Sequence, residues 1–300
     1  MSEFIDNLLQ KIWMNIYQGL WDTVENLFGW TQGIQADYIT KSKDLVTMSP
    51  KNWNATAFSF VEGVANNAII PIAGCIITFV FCWQIISMIQ ESNQMHNIKP
   101  ETMLLLMMKL IICLLVCSKS FKIVNGMFEL AATAVKKISF DEIANVEGGD
   151  FATILGYNRE LADYNFSVCG IMLMYVLITF LAVLVTYVIS ITIYIRVNMW
   201  YLSLLVYASA APMPFATFMN KEWGQVGTNY TRKMLAMSFE GFFMLVTFGM
   251  YNAMTAHVLT EAAGNNSYLL NMITVIGCGA GLVLLINKAG SISSSVFNAH

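Results

Sequence analysis

FSVCGIMLMYVLITFLAVLVTYVISITIYI, residues 166–195, runs for thirty residues without a single charge. At about 1.5 Å per residue it exceeds the ~30 Å hydrocarbon core of a bilayer, so it reads as a tilted or protruding membrane span. Arg196 ends the uncharged run and is expected to anchor the span at its end. A shorter apolar run, Met199 to Ala211, closes at Pro212-Met213-Pro214 and resumes at Phe215 to Met219. That pattern fits a broken span or a re-entrant turn, since irregular backbone at membrane depth must be covered by protein or line a wet cavity.

The rest of the chain agrees. Of 300 residues, 57% are hydrophobic and 12% charged, about half the roughly 25% of an ordinary soluble domain. A mean hydropathy of +0.59 excludes a water-soluble globule. Ala68 to Ile89 is long enough to span, with Pro71 placed in its first turn, where the missing N–H does least harm. Thr102 to Ser118 is a shorter run interrupted by Lys109, and Met234 to Leu259 and Leu269 to Ile286 complete six apolar segments. The fold class is therefore all-α: a polytopic helical membrane protein of about five to six transmembrane segments.

Ahead of the spans, Phe4, Ile5, Leu8, Leu9, Ile12, Trp13, Ile16, Leu20, Val24, Leu27 and Phe28 recur at three- and four-residue steps and predict an amphipathic helix over residues 1–30. Its Trp13, Trp21 and Trp30 suit the headgroup layer, and packing on the protein's own core is the equal alternative. Residues 31–67 read as a polar connector with a short helix, and 68–118 as a first helical pair. Residues 119–165 form a polar central segment with one amphipathic stretch from Phe121 to Lys137 and a Gly148-Gly149 break. Residues 166–287 make the transmembrane core and 288–300 a tail. If all six segments cross, basic residues gather on the side of the two termini and the central segment, which would make that side cytoplasmic.

No catalytic motif is present: there is no phosphate-cradling GxxxxGK[ST], no GxGxxG, no HExxH and no GxSxG. Only three histidines are available, and the six cysteines lie singly in apolar runs, with no CxxC pair and no metal-ligand spacing. They read as small hydrophobes, and no cofactor is expected. An ammonium inside an apolar run usually faces protein or water, which singles out Lys109, with Glu240 as candidate partner at a depth differing by about 5 Å. Gly277 and Gly281 form a GxxxG pair that lets another helix approach closely. Net charge is −3, so no broad basic field exists, yet Lys119, Lys122, Lys136 and Lys137 on the amphipathic central stretch would form a local one if copies formed a ring.

The long span ending at Arg196, the short run through Trp200 to Ala210, the break Ala211-Pro212-Met213-Pro214, and then Trp223 and Arg232-Lys233 leading into another span resemble the TrbL-like conjugal-transfer proteins. These are polytopic membrane components of type IV secretion systems, here most similar to the compact forms of Gram-positive mobile elements. The similarity covers roughly Phe166 to Ile286. It implies a non-enzymatic subunit of a translocation channel in the bacterial cytoplasmic (inner) membrane, surrounded by lipid and forming a ring-shaped homo-oligomer. Such a ring would pass single-stranded DNA with its relaxase, or protein. Implied neighbours are a bitopic assembly factor, secretion ATPases and a cell-wall hydrolase. Carried onto this chain, the family's break falls at Ala211, Pro212 and Pro214, Trp223 is a further span-end anchor, and the substrate-proximal loop lies between Lys119 and Asn165. The resemblance puts that loop outside the cell, which one crossing fewer before it would reconcile with the basic-residue count. A small-solute transporter using Lys109 and Glu240 as coupling pair, and a structural scaffold of the secretion machine, are the alternative classes.

Overall fold

The computed structural model describes residues 2–91, 100–137, 155, 159–161, 163–220, 223–262 and 268–299. Among the described residues all regular structure is helical and no strand occurs. Helix α1 is Ser2–Thr47, α2 Pro50–Trp53 and α3 Ala55–Val64; α3 passes through a π-helical turn, Ala65–Ile69, into α4, Ile70–Glu91. Then come α5 Pro100–Ser118, α6 Ser120–Lys136, α7 Phe166–Ser209, the short α8 Pro212–Phe215 with a 3-10 turn Ala216–Met219, α9 Gly224–Ala262 and α10 Tyr268–Val296. Five stretches are long and apolar enough to cross a membrane: Ala55–Gln90, Pro100–Ser118, Phe166–Ser209, Gly224–Thr255 and Tyr268–Val296. The protein is thus an all-α polytopic membrane protein.

Three local expectations change. The helix expected over residues 1–30 continues to Thr47. Its buried face simply turns polar, through Thr31, Gln35 and Ser42, with Ile39 and Val46 between and beyond them. Arg196 does not end its helix: α7 is one element of 44 residues, and the run after Arg196 belongs to it. An arginine is a good helix former and does not interrupt the hydrogen-bond ladder, whereas Pro212 does. Six apolar segments therefore become five, through a merger after the central segment rather than a loss before it, and the orientation argued from six crossings changes with them. Pro71, finally, lies inside a continuous helix, directly after a π turn in which Ile70 N–H reaches back to Ala65 O.

The residues group into two compact units. The first comprises Met1–Asp44, Ser139–Arg196 and Leu245–Asn287. Its core joins Tyr17, Trp21, Val24 and Phe28 of α1 to Leu155, to Cys169, Met172 and Ala182 of α7, and to Tyr268 and Met272 of α10. Two polar pairs close inside this unit, while the buried Ser42 and Ser190 hydroxyls have no hydrogen-bond partner among the described residues. Thr179 Oγ1 and Tyr268 Oη lie 2.5 Å apart, and Gln35 Nε2 donates to the Tyr251 hydroxyl. Gly279 of α10 leaves the space that the Gln35 and Ile189 side chains use, a Cβ there lying 3.4 Å from each.

The second unit comprises Leu45–Ile138, Val197–Met244 and Lys288–His300. Here the Tyr201 hydroxyl lies 2.6 Å from Leu45 O and 2.7 Å from Met48 O, at the end of α1, where helix carbonyls lack partners. Trp53 stacks on the Tyr201 ring at 5.1 Å, and its Nε1 donates to Asn198 Oδ1 at 3.1 Å. Trp200 Nε1 donates to Met237 O at 2.9 Å, and Gly241, one turn on, makes room for the indole. These two contacts fix α7 against α9.

Candidate functional site

The proline break is a packed knuckle. Pro212 and Pro214 supply no N–H, and a helix ending at Ser209 leaves carbonyls to be satisfied elsewhere. The partners come from α5, from α9 and from the 3-10 turn itself. Tyr230 Oη of α9 donates to Tyr207 O at 2.7 Å, and Thr217 Oγ1 to Pro214 O at 2.8 Å. From α5, the Cys113 thiol lies 3.5 Å from Phe215 O and 3.6 Å from Ala216 O, and the Cys117 thiol 3.6 Å from Pro212 O. Gly227 brings α9 against the knuckle: its N–H donates to Thr217 Oγ1 at 3.2 Å, and a Cβ there would stand 2.7 Å from Pro214 O. Ala211 is fully buried beneath it. Trp223 begins α9's approach and packs its ring on Phe79 at 5.4 Å.

Cys113 and Cys117 were legible only as small hydrophobes. Their four-residue spacing places both thiols on one face of α5, and that face meets the break. Cys169 and Cys278 are also buried, while Cys75 and Cys82 are exposed on the surface of α4.

Directly after α5 comes the basic helix. Phe121, Val124, Phe128, Ala131 and Val135 of α6 are buried, with Phe121 against Phe58 at 5.3 Å. At about 100° per residue, Lys119, Lys122, Lys136 and Lys137 fall within a sector of about 100° on the opposite side, and all four are exposed. Lys119 also closes α5, its N–H lying 3.2 Å from both Leu115 O and Val116 O, where a cation suits the helix dipole. Lys136 lies in the last turn of α6, with the same benefit. Glu129 sits between the two lysine pairs and accepts from Asn125 Nδ2 at 3.0 Å.

The other predicted residues fall apart from these. Lys109 is exposed on α5, whereas Glu240 of α9 is 6% exposed and its carboxylate packs over Gly290 of α10, 2.9 Å from the place of a Cβ. No ion pair joins them. Three residues on from Gly290, Ser293 donates to Ala236 O at 2.6 Å. Gly277 and Gly281 have no side chain or backbone within 4 Å of an added Cβ; inside the chain Gly279 makes the close approach. Arg196 is half-buried in the middle of α7.

Comparison with known proteins bears on this arrangement. A family profile described as TrbL/VirB6 plasmid conjugal transfer like protein matches residues 36–212, more than half of the chain. The chain belongs to this family. The TrbL/VirB6 match begins inside α1, takes in α2 to α7 and ends at Pro212, so it covers the α4–α5 pair and the basic helix. The similarity expected from Phe166 to Ile286 is thus carried largely by residues ahead of that range. Neither a curated protein nor a solved structure matches the chain at a significant level. As a TrbL/VirB6 family member the protein is a multi-pass membrane component of a conjugal-transfer, type IV secretion apparatus, working with other subunits, and the family is not an enzyme family.

Proposed function

We propose that the protein is a subunit of the translocation channel itself, in the bacterial cytoplasmic membrane, assembled as a ring of identical copies that passes single-stranded DNA with its relaxase, or protein. Secretion ATPases supply the energy, and a bitopic assembly factor and a cell-wall hydrolase are the expected neighbours. The observation that carries this reading is α6: four lysines on one exposed face, held in place by an apolar face packed on the rest of the unit. Repeated around a ring, that face gives a local positive field for a polyanion, which a net charge of −3 conceals. The proline knuckle, with its carbonyls satisfied from α5 and α9, is a rigid support beside it. A small-solute transporter would use Lys109 and Glu240 as a coupling pair, whereas the secretion reading is supported by the family match.

The test is mating. A donor carrying Lys119→Gln, Lys122→Gln, Lys136→Gln and Lys137→Gln should deliver DNA at least tenfold less often, while the protein reaches the membrane and assembles at wild-type level. Equal transfer by the variant overturns the role given to α6.

A further inference from the structure

Helix α1 is not among the apolar spans, yet it accompanies one. Trp13 meets Phe166 with ring centroids 5.7 Å apart and its carbonyl lies 3.6 Å from the Cys169 thiol, while Tyr38 meets Tyr187 and Tyr194 at 6.2 and 6.1 Å. The two helices therefore run parallel. From Trp13 to Tyr38, at about 1.5 Å per residue, is about 37 Å, longer than a ~30 Å hydrocarbon core. Over the same length α7 exposes Leu173, Leu177, Phe180, Leu181, Leu184 and Val188, each at 49% or more. An apolar surface of that extent belongs in lipid, and it brings α1 to the same depth.

The face of α1 turned away from Tyr17, Trp21, Val24 and Phe28 is not lipid-compatible. At steps of four, three, four, four and three residues it reads Asp22, Asn26, Gly29, Gly33, Asp37 and Thr40. Ionisable and amide side chains at membrane depth face protein or water. Among the described residues, all of these except half-buried Asp22 are exposed, and a Cβ on Gly29 or Gly33 would meet nothing within 4 Å. Glycine inside a helix is less stable than alanine, and no neighbour within the chain requires it at either position.

We propose that this face of α1 is the water-facing wall of the conduit, completed by the same face of further copies around the ring; the proposal rests on the channel reading above. The wall is wet without being adhesive. Asp22 is paired with Arg159 at 2.9 Å and Asp37 with Lys41 at 2.7 Å, so their charges are largely compensated. A hydrated chain held that loosely can both enter and leave, as conduction requires. Capture then belongs to the α6 lysines and passage to α1.

The experiment uses the full chain in a mating donor, with exposed Cys75 and Cys82 changed to Ser. Single cysteines are placed on the polar face, Asn26→Cys and Gly33→Cys, and on the apolar face of α7, Leu177→Cys and Leu184→Cys. A membrane-impermeant, positively charged methanethiosulfonate should label the α1 positions at least tenfold faster than the α7 positions, and a bulky reagent there should block transfer. Equal, slow labelling of both sets overturns the proposal, and so does fast labelling that leaves transfer intact. Photocrosslinking of the transferred strand to α6 reads the channel function separately: crosslinking there with unreactive α1 cysteines sinks the wall alone, whereas no crosslinking anywhere on the protein sinks the channel reading. Gly33→Leu provides a second arm, since the side chain meets open space in the folded chain. It should leave assembly unchanged and lower transfer at least tenfold; loss of assembly would instead make this face a contact between copies and overturn the wall.

Discussion

Adding one methyl group at Gly227 tests how tightly the proline knuckle is held. A Cβ at this position would lie 2.7 Å from Pro214 O and 2.8 and 3.0 Å from two ring carbons of Phe218. Carbon atoms pack best about 3.5–4.0 Å apart, so the ring has to retreat by roughly 0.7 Å. Phe218 can do so, but Pro214 O is backbone, fixed by the proline ring and by its hydrogen bond from Thr217. Overpacking of this kind costs about 1–3 kcal/mol, against a helix-propensity gain of about 1 kcal/mol for alanine over glycine. With a backbone atom as nearest neighbour, the net loss for Gly227→Ala should be about 1–2 kcal/mol, a fall in Tm of about 2–3 °C for a chain of this size. Heating the detergent-solubilised protein with a thiol-reactive fluorogenic dye reads the right event, because Cys113 and Cys117 are covered by the knuckle they would report on. Gly277→Ala is the control: with nothing within 4 Å it should melt at or slightly above the wild type. Gly227→Ala melting as high as the wild type, or Gly277→Ala falling as far, would refute the packing argument.

Three further outcomes are expected. Trp200→Phe removes the Nε1–H donor to Met237 O while keeping most of the ring volume, and should cost about 1 kcal/mol in the same melting assay. Gly290→Ala should destabilise the wild type but not a Glu240→Ala background, because the methyl's neighbour is that carboxylate; a double-mutant cycle should give a coupling of about 0.5 kcal/mol or more. Binding of a single-stranded oligonucleotide to the purified protein should weaken with salt, and changing the four α6 lysines to Gln should lower the slope of log affinity against log salt by up to about 0.7 per lysine in contact with phosphate.

The spans were readable because hydropathy is a property of the segment itself. Residues 166–195 need no partner to be recognised as lipid-soluble, and the α6 pattern, with Phe121, Val124, Phe128 and Val135 against four lysines, needs none to be recognised as two-faced. What escaped depends on partners distant in sequence. The second half of α1 looks like a connector because Thr31, Gln35 and Ser42 are polar, and Gln35 is explained only by the Tyr251 hydroxyl. Arg196 looks like a terminus because charge usually marks the end of a span, although the backbone ladder of α7 continues past it. Glu240 called for a basic partner at its own depth, and its surroundings proved to include a glycine on another helix. The thiols of Cys113 and Cys117 acquire meaning only once the break that exposes carbonyls lies beside them.

The π turn at Ala65–Ile69 works as a phase corrector along the first span. In an uninterrupted α-helix, at about 100° per residue, Ala73 would point about 80° away from Ala65. The one extra residue accommodated by the wider turn removes about 100°, which returns Ala73, and with it Ile77 and Val80, to the stripe begun by Phe58 and Ala65, all five buried. The helix thus absorbs an odd residue without rotating its contact surface. A chain lacking one of Asn66 or Asn67 would be expected to close into regular α-helix there and keep the same neighbours, so this span tolerates a single deletion at the one place where most helices would be thrown out of register.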